Sequence, residues 1–245
     1  MIDKVIIKDT SDAPFYYLNN VFQNNTTFNF KKGVNIIVGK NGSGKSSLIN
    51  LISIYSLCYK NLISDKTELN NPKLFNNYFN FNVQNTLHKG VEVHADYSQP
   101  VFNFKLLSSN NDLGLTNGIQ AFATMVDGLN SSSGENVIMN LSYFIERITN
   151  TNNNTSFPTT NLFDEWKCQD SNCKTILLDE PDRNLDIYFI SKHLFNFFNH
   201  NTDKFQIIAA LHNPILIYKL SKLNCINWIE TSPNYLNDII SEIKS

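Results

Sequence analysis

The stretch Gly39-Lys40-Asn41-Gly42-Ser43-Gly44-Lys45-Ser46 fits the pattern G-x-x-x-x-G-K-[ST] without a mismatch, and its flanks suit the chemistry of that pattern. Glycines at this spacing let the backbone curl so that successive N–H groups point inward at phosphate oxygens. The lysine can reach the β- and γ-phosphates, and the hydroxyl after it can ligate Mg²⁺. Those roles fall to Lys45 and Ser46, with Asn41, Gly42, Ser43, Gly44 and Ser47 completing the cradle. The elements needed to position the loop are legible on either side. Val34-Asn35-Ile36-Ile37-Val38 is a β-branched run of strand length, and Leu48, Ile49, Leu51, Ile52 and Tyr55 recur at helical spacing. Strand, glycine-rich loop and helix in that order bring the partial positive charge of the helix N-terminus to the phosphates. The stretch predicts a nucleoside triphosphate site.

A second chemical segment lies far along the chain. Thr175-Ile176-Leu177-Leu178 is an apolar run ending in Asp179-Glu180-Pro181. Such a run suits a central parallel strand, whose carboxyl end is where α/β proteins place ligand groups. Asp179 is placed to hold Mg²⁺, directly or through water. Glu180 beside it can accept a proton from an attacking water.

The remaining composition sets bounds. With 245 residues, 42% of them hydrophobic and 17% charged, the chain can bury a full α/β core or a core with a small lobe. A formal net charge of −2 gives no broad attraction for nucleic acid or anionic lipid. Arg147 and Arg183 are the only arginines, so phosphate contacts fall mostly to lysine and backbone. Cys58, Cys168, Cys173 and Cys225 form neither a disulfide framework nor a zinc spacing, which suits reduced thiols in a cytosolic protein. The first residues lack the apolar run and cleavage site of a signal peptide, and no stretch approaches the ~20 apolar residues of a membrane helix. A soluble, cytoplasmic protein is expected.

In chain order, strands are predicted over residues 3–9, 15–22, 26–30, 78–83, 91–97 and 101–106, each rich in β-branched or aromatic residues. Phe15, Tyr16 and Tyr17 precede the phosphate loop and are candidates for stacking on an adenine ring. Helices are expected over 119–126 and from Val137 to Ile148, separated by Gly128-Leu129-Asn130-Ser131-Ser132-Ser133-Gly134-Glu135. Asn150 to Asn161 is a low-complexity Asn/Thr segment read as a surface loop. After the acidic strand come a helix over 187–198, a buried strand over 205–211 ending at His212-Asn213-Pro214, and a helix to Leu220. A strand at 225–229 and a helix from Pro233 follow.

The ordered set Gly39–Ser46, Ser132–Glu135, Leu177–Pro181, Arg183-Asn184-Leu185-Asp186 and His212 resembles the ATP-binding-cassette (ABC) ATPase superfamily over nearly the whole chain. Gly-Lys-Ser-Ser and Ser-Ser-Gly-Glu look more like its soluble, non-transporter branch, which includes SMC- and RecF-like ATPases and those of phage defence. The resemblance implies an α/β P-loop NTPase fold with a mostly parallel central sheet, an antiparallel β subdomain and a small helical lobe. It implies one ATPase domain over 1–245, with a nucleotide-binding core at about 1–107 and 173–245. The signature lobe would take 108–150 and an Asn-rich insertion 150–172. Ser132 and Gly134 would contact the γ-phosphate held by a second copy, with Glu135 where glutamine is usual. Asp186 would signal across that dimer, and His212 would orient the water and contact the γ-phosphate. Gln99 is the candidate for the Mg²⁺-ligating glutamine, with Gln84 its competitor. The implied activity is Mg²⁺-dependent ATP hydrolysis by a head-to-tail homodimer. The long coiled coil, hook and nuclease domain of some relatives are missing here. A separate effector protein, a nuclease or nucleic-acid-binding subunit rather than a permease, is therefore the expected partner. The transporter subunit is the alternative.

Overall fold

A computed structural model describes residues 1–8, 22, 25–53, 90–96, 101–105, 175–183, 185–200 and 205–244. Its centre is a parallel sheet of β3 (Val34–Val38), β5 (Val101–Lys105), β6 (Thr175–Asp179), β7 (Gln206–Ala210) and β8 (Asn227–Glu230), in the order β5-β6-β7-β3-β8. Beside it β1 (Ile2–Ile7) pairs antiparallel with both β2 (Thr26–Asn29) and β4 (Val91–Ala95). The helices are α1 (45–53), α2 (187–200), α3 (Pro214–Leu220) and α4 (Tyr235–Lys244).

Side chains of the central strands alternate between two cores, as the strand period requires. Ile37, Leu177, Ile208 and Ala210 face one core, which they share with α1 and the antiparallel sheet. Val34, Ile36, Val38, Ile176, Leu178, Ile207 and Ala209 face the other, against α2, α3 and α4. Every residue of β3, β6 and β7 is buried. This explains why their sequences are mostly apolar rather than alternating. Helix α1 contributes Leu48, Ile49, Leu51 and Ile52, none more than 1% exposed. Full burial of such side chains stabilises a fold by about 1.5–3 kcal/mol each.

Two buried amides join these layers. Gln206 accepts from the Ile2 N–H at 2.7 Å and from the Thr175 hydroxyl at 2.8 Å, and donates to the carbonyls of Ile2 and Lys31 at 2.6 and 3.1 Å. Asn35 donates to the carbonyls of Lys31, Gly33 and Ile207 and accepts from the Lys31 N–H and the Asn227 amide. Both satisfy the rule that a buried polar group must find partners.

Helix α2 is interrupted. Ile187–Phe189 and Phe195–His200 are α-helical, but Ile190–Leu194 is a π turn, with the Phe195 N–H donating to the Ile190 carbonyl. Ile190, Leu194 and Phe198 nevertheless all reach the core. The sequence-based elements at 26–30, 91–97, 101–106, 175–179, 187–198, 205–211 and the last helices coincide with observed ones to within a few residues. The last strand begins two residues later than expected, at Asn227. The expected strand over 15–22, apart from Phe22, the expected strand over 78–83, the helical lobe over 108–150 and the insertion over 150–172 lie outside the described residues.

Candidate functional site

Parallel pairing brings the carboxyl ends of four strands to one rim. Ile37 and Asp179 both lie level with Ala210, and Val38 lies level with Glu230. The phosphate loop leaves β3 at this rim. Gly42 and Gly44 turn it with φ of 77° and 92°, a region that costs other residues about 1–2 kcal/mol. The Leu48 N–H then donates to the Gly44 carbonyl at 2.8 Å, and α1 begins.

Lys45 is buried, its Nζ donating to the carbonyls of Gly39 and Lys40 at 2.8 and 3.0 Å. Burial lowers its pKa from the ordinary 10.5, opposed by the negative charges of Glu180, Asp179 and Asp182. One residue on, the Ser46 hydroxyl donates to Asp179 Oδ1 at 2.8 Å. The contact follows from the strand period, because Asp179 shares the face of Leu177, and that is the face covered by α1. A hydroxyl and a carboxylate so close supply the hard oxygen donors that suit Mg²⁺.

Glu180 adopts φ of 51°, in the left-handed region. A non-glycine residue there carries strain of order 1–3 kcal/mol and persists only where its surroundings enforce it. Its N–H donates to the Ala210 carbonyl at 3.1 Å, and its own carbonyl accepts from the Arg183 N–H at 3.1 Å. The carboxylate is held at both oxygens. Oε1 lies 2.8 Å from His212 Nε2, and Oε2 accepts from Arg183 Nη1 at 3.2 Å. Both Glu180 and His212 keep partial solvent access, with side chains 25% and 33% exposed.

The structure thus brings together Lys45, Ser46, Asp179, Glu180 and His212. Asp186 is the N-cap of α2, its Oδ1 accepting from the Phe189 N–H at 2.9 Å. Gln99, its competitor Gln84, the signature residues Ser132, Gly134 and Glu135, and the aromatic candidates Phe15, Tyr16 and Tyr17 lie outside the described residues.

Three residues at the rim escaped sequence reasoning. Asp182 is buried, and its Oδ2 accepts from the N–H groups of His212 and Asn213 at 2.8 and 2.5 Å. Thr231 and Ser232 follow β8 and grip the phosphate loop. Thr231 Oγ1 lies 2.6 Å from Ser43 Oγ, and Ser232 Oγ accepts from the Lys40 N–H at 3.1 Å. Gly39 is pressed against them: a Cβ there would stand 2.2 Å from Thr231 Oγ1, 2.5 Å from Ser43 Oγ and 3.2 Å from the Ser232 nitrogen. Adjacency to Asp179-Glu180 could have flagged Asp182. Only the pairing of β8 with β3 reveals the other two.

A glycine-turned loop on a central parallel strand, strand-end carboxylates and a flanking antiparallel sheet define an α/β fold of the P-loop type. The family model described as AAA domain matches residues 17–240, and the chain belongs to that family. The lacticin-481/lactococcin-DR transport/processing ATP-binding protein of Lactococcus lactis subsp. lactis is 53% identical over 49 residues, 20% of this chain and 7% of that protein's length. Among solved structures, a dimeric ATP-binding cassette in a post-hydrolysis state, bound to ADP and Pi, aligns over 94% of this chain and 95% of its own. The identity is 12% and the TM-score 0.44. An inward-facing metal-chelate type ABC transporter aligns over 89% of this chain and 77% of its own, at 16% identity and a TM-score of 0.38. Among the described residues no helix is long and apolar enough to cross a membrane.

Proposed function

We propose that this ATP-binding ATPase domain hydrolyses ATP with Mg²⁺ in a head-to-tail pair of copies, and that the nucleotide-driven pairing acts on a separate effector protein. The observation that carries the reading is the convergence of Lys45, Ser46, Asp179, Glu180 and His212 at one sheet rim. Asn41 to Ser47 cradle the phosphates, and Lys45 gives up its carbonyl partners for the β- and γ-oxygens. Ser46 and Asp179, with Gln99, hold the cation. Bound Mg²⁺ supplies neutralisation of the phosphate charge. Glu180 takes a proton from the attacking water, and His212 orients that water against the γ-phosphate. Ser132, Gly134 and Glu135 of a second copy close the site, and Asp186 connects the two sites.

Replacing Glu180 by Gln should leave ATP binding intact and slow turnover by about 10²–10⁴-fold, the usual cost of losing a general base. Steady-state phosphate release and ATP affinity, measured together, check this. Turnover at the wild-type rate would move the base elsewhere.

The soluble branch is preferred on Ser132-Ser133-Gly134-Glu135 and Gly44-Lys45-Ser46-Ser47, with a nuclease or nucleic-acid-binding protein as the effector. The segment shared with the Lactococcus transport/processing protein favours the second reading, a transporter's ATP-binding subunit. Purification of the tagged chain with ATP separates them, a permease deciding for transport and a soluble nucleic-acid enzyme for the first.

A further inference from the structure

We infer that Asp182 is the positioning residue that sets His212 against Glu180. This rests on the proposed hydrolytic role of that pair. Residues 180–183 form a turn closed by the Arg183 N–H on the Glu180 carbonyl, with Pro181 inside it. That turn does two things at once. It presents the Glu180 carboxylate at a strained φ, and it sends the Asp182 side chain inward to the loop after β7. There a single oxygen, Oδ2, accepts the consecutive N–H groups of His212 and Asn213. Two adjacent donors converging on one acceptor fix the peptide plane between them, and with it the direction in which the His212 side chain leaves the backbone. The ring then meets Glu180 at 2.8 Å.

The arrangement continues behind the histidine. Asn213 uses its own side chain to accept from the N–H groups of Ile215 and Leu216 and so caps α3, with Pro214 at the first turn. His212 is thereby held between Asp182 and a capped helix whose Leu216, Ile217 and Leu220 are fully buried. Asp182 is 5% exposed, and its Oδ1 has no hydrogen-bond partner. Burying a carboxylate on backbone donors alone is costly. A small apolar residue would fill the space more cheaply but would leave two N–H groups unsatisfied and the histidine loop free to rotate. Asn retains an acceptor of the same reach, so the role requires the oxygen rather than the charge.

The test uses the full chain with Asp182→Ala, Asp182→Asn and Asp182→Ser. In Asp182→Ala, kcat should fall on the order of 10–100-fold, the scale of an ångström's misplacement of a reacting group, while ATP affinity stays within about threefold of wild type by the same reasoning. Asp182→Asn should restore kcat to within about threefold. The ring resonances of His212, read by NMR without nucleotide, should move in Asp182→Ala toward those of the Glu180→Gln variant and stay in place in Asp182→Asn. If Asp182→Ala fails to fold, Asp182→Ser, with a shorter acceptor, should show the same changes at smaller size. Unmoved His212 resonances in a folded Ala or Ser variant would overturn the inference, as would an Asn variant as impaired as Ala. A wild-type chain that does not hydrolyse ATP would sink the proposed function instead, and the NMR comparison would still decide the positioning role.

Discussion

Removing the Lys45 ammonium addresses the phosphate loop directly, because it is the loop's buried cation and carboxylates surround it. Lys45→Ala should weaken ATP binding by at least 10–100-fold, the equivalent of about 1.5–3 kcal/mol for charged hydrogen bonding. Calorimetry showing unchanged affinity would refute the assignment of the loop. Asp182 makes a prediction of a different kind. Burial raises its pKa above the ordinary 3.8, against the lowering pull of the Asn213 and His212 N–H groups. Between 3.8 and the raised value the folded chain keeps a proton that the unfolded chain has released. Stability from this group therefore falls as pH rises through that window, and the full penalty is felt above it. Urea midpoints across acid pH should show wild type gaining on Asp182→Asn as pH drops through the window. A constant difference would mean that Asp182 does not titrate there. Residue types spaced by a motif were legible in the sequence, as Lys45, Ser46, Asp179 and Glu180 illustrate. Asp182 was not, because what distinguishes it is two backbone donors some thirty positions away.

Elements were legible where burial dictates composition. The runs 34–38, 175–179 and 206–210 are mostly apolar because both faces of the central sheet are covered, and that signal survives without any contact information. The π turn at Ile190–Leu194 left no such trace, since apolar spacing tolerates one extra residue when Ile190, Leu194 and Phe198 still reach the core. The joint between the two sheets was equally invisible. It depends on Gln206, a polar residue opening a strand, whose value lies in groups it meets on β1. Gln206→Leu would keep the volume and strand the Ile2 N–H and carbonyl without partners. The expected cost is at least ~2 kcal/mol, given about 1–3 kcal/mol for each buried group left unsatisfied. A lowered urea midpoint with unchanged slope, together with faster hydrogen exchange at the Ile2 amide, is the expected result. Unchanged exchange there would show that β1 is anchored by its neighbours β2 and β4 alone.

For the whole molecule, the proposed pairing can be tested by dividing the labour between two defective chains. Ser132→Arg and Lys45→Ala should each lack activity alone. A mixed dimer carries one site with both defects and one with neither, so mixing should restore up to about half of the activity per mixed dimer, as a two-fold shared site requires. No recovery at any ratio, with both variants folded, would count against a shared site. The grip of Thr231 and Ser232 on the phosphate loop has its own bearing on the molecule as a whole. Almost two hundred positions separate these hydroxyls from the loop they hold, so the nucleotide pocket has a wall built from the last strand's exit. Anyone re-engineering this chain inherits that wiring. A reporter spliced between β8 and α4 would sit one residue away from the loop's support and would double as a sensor of its movement. A chain cut or circularly permuted at the same joint would lose the support and the sensor together.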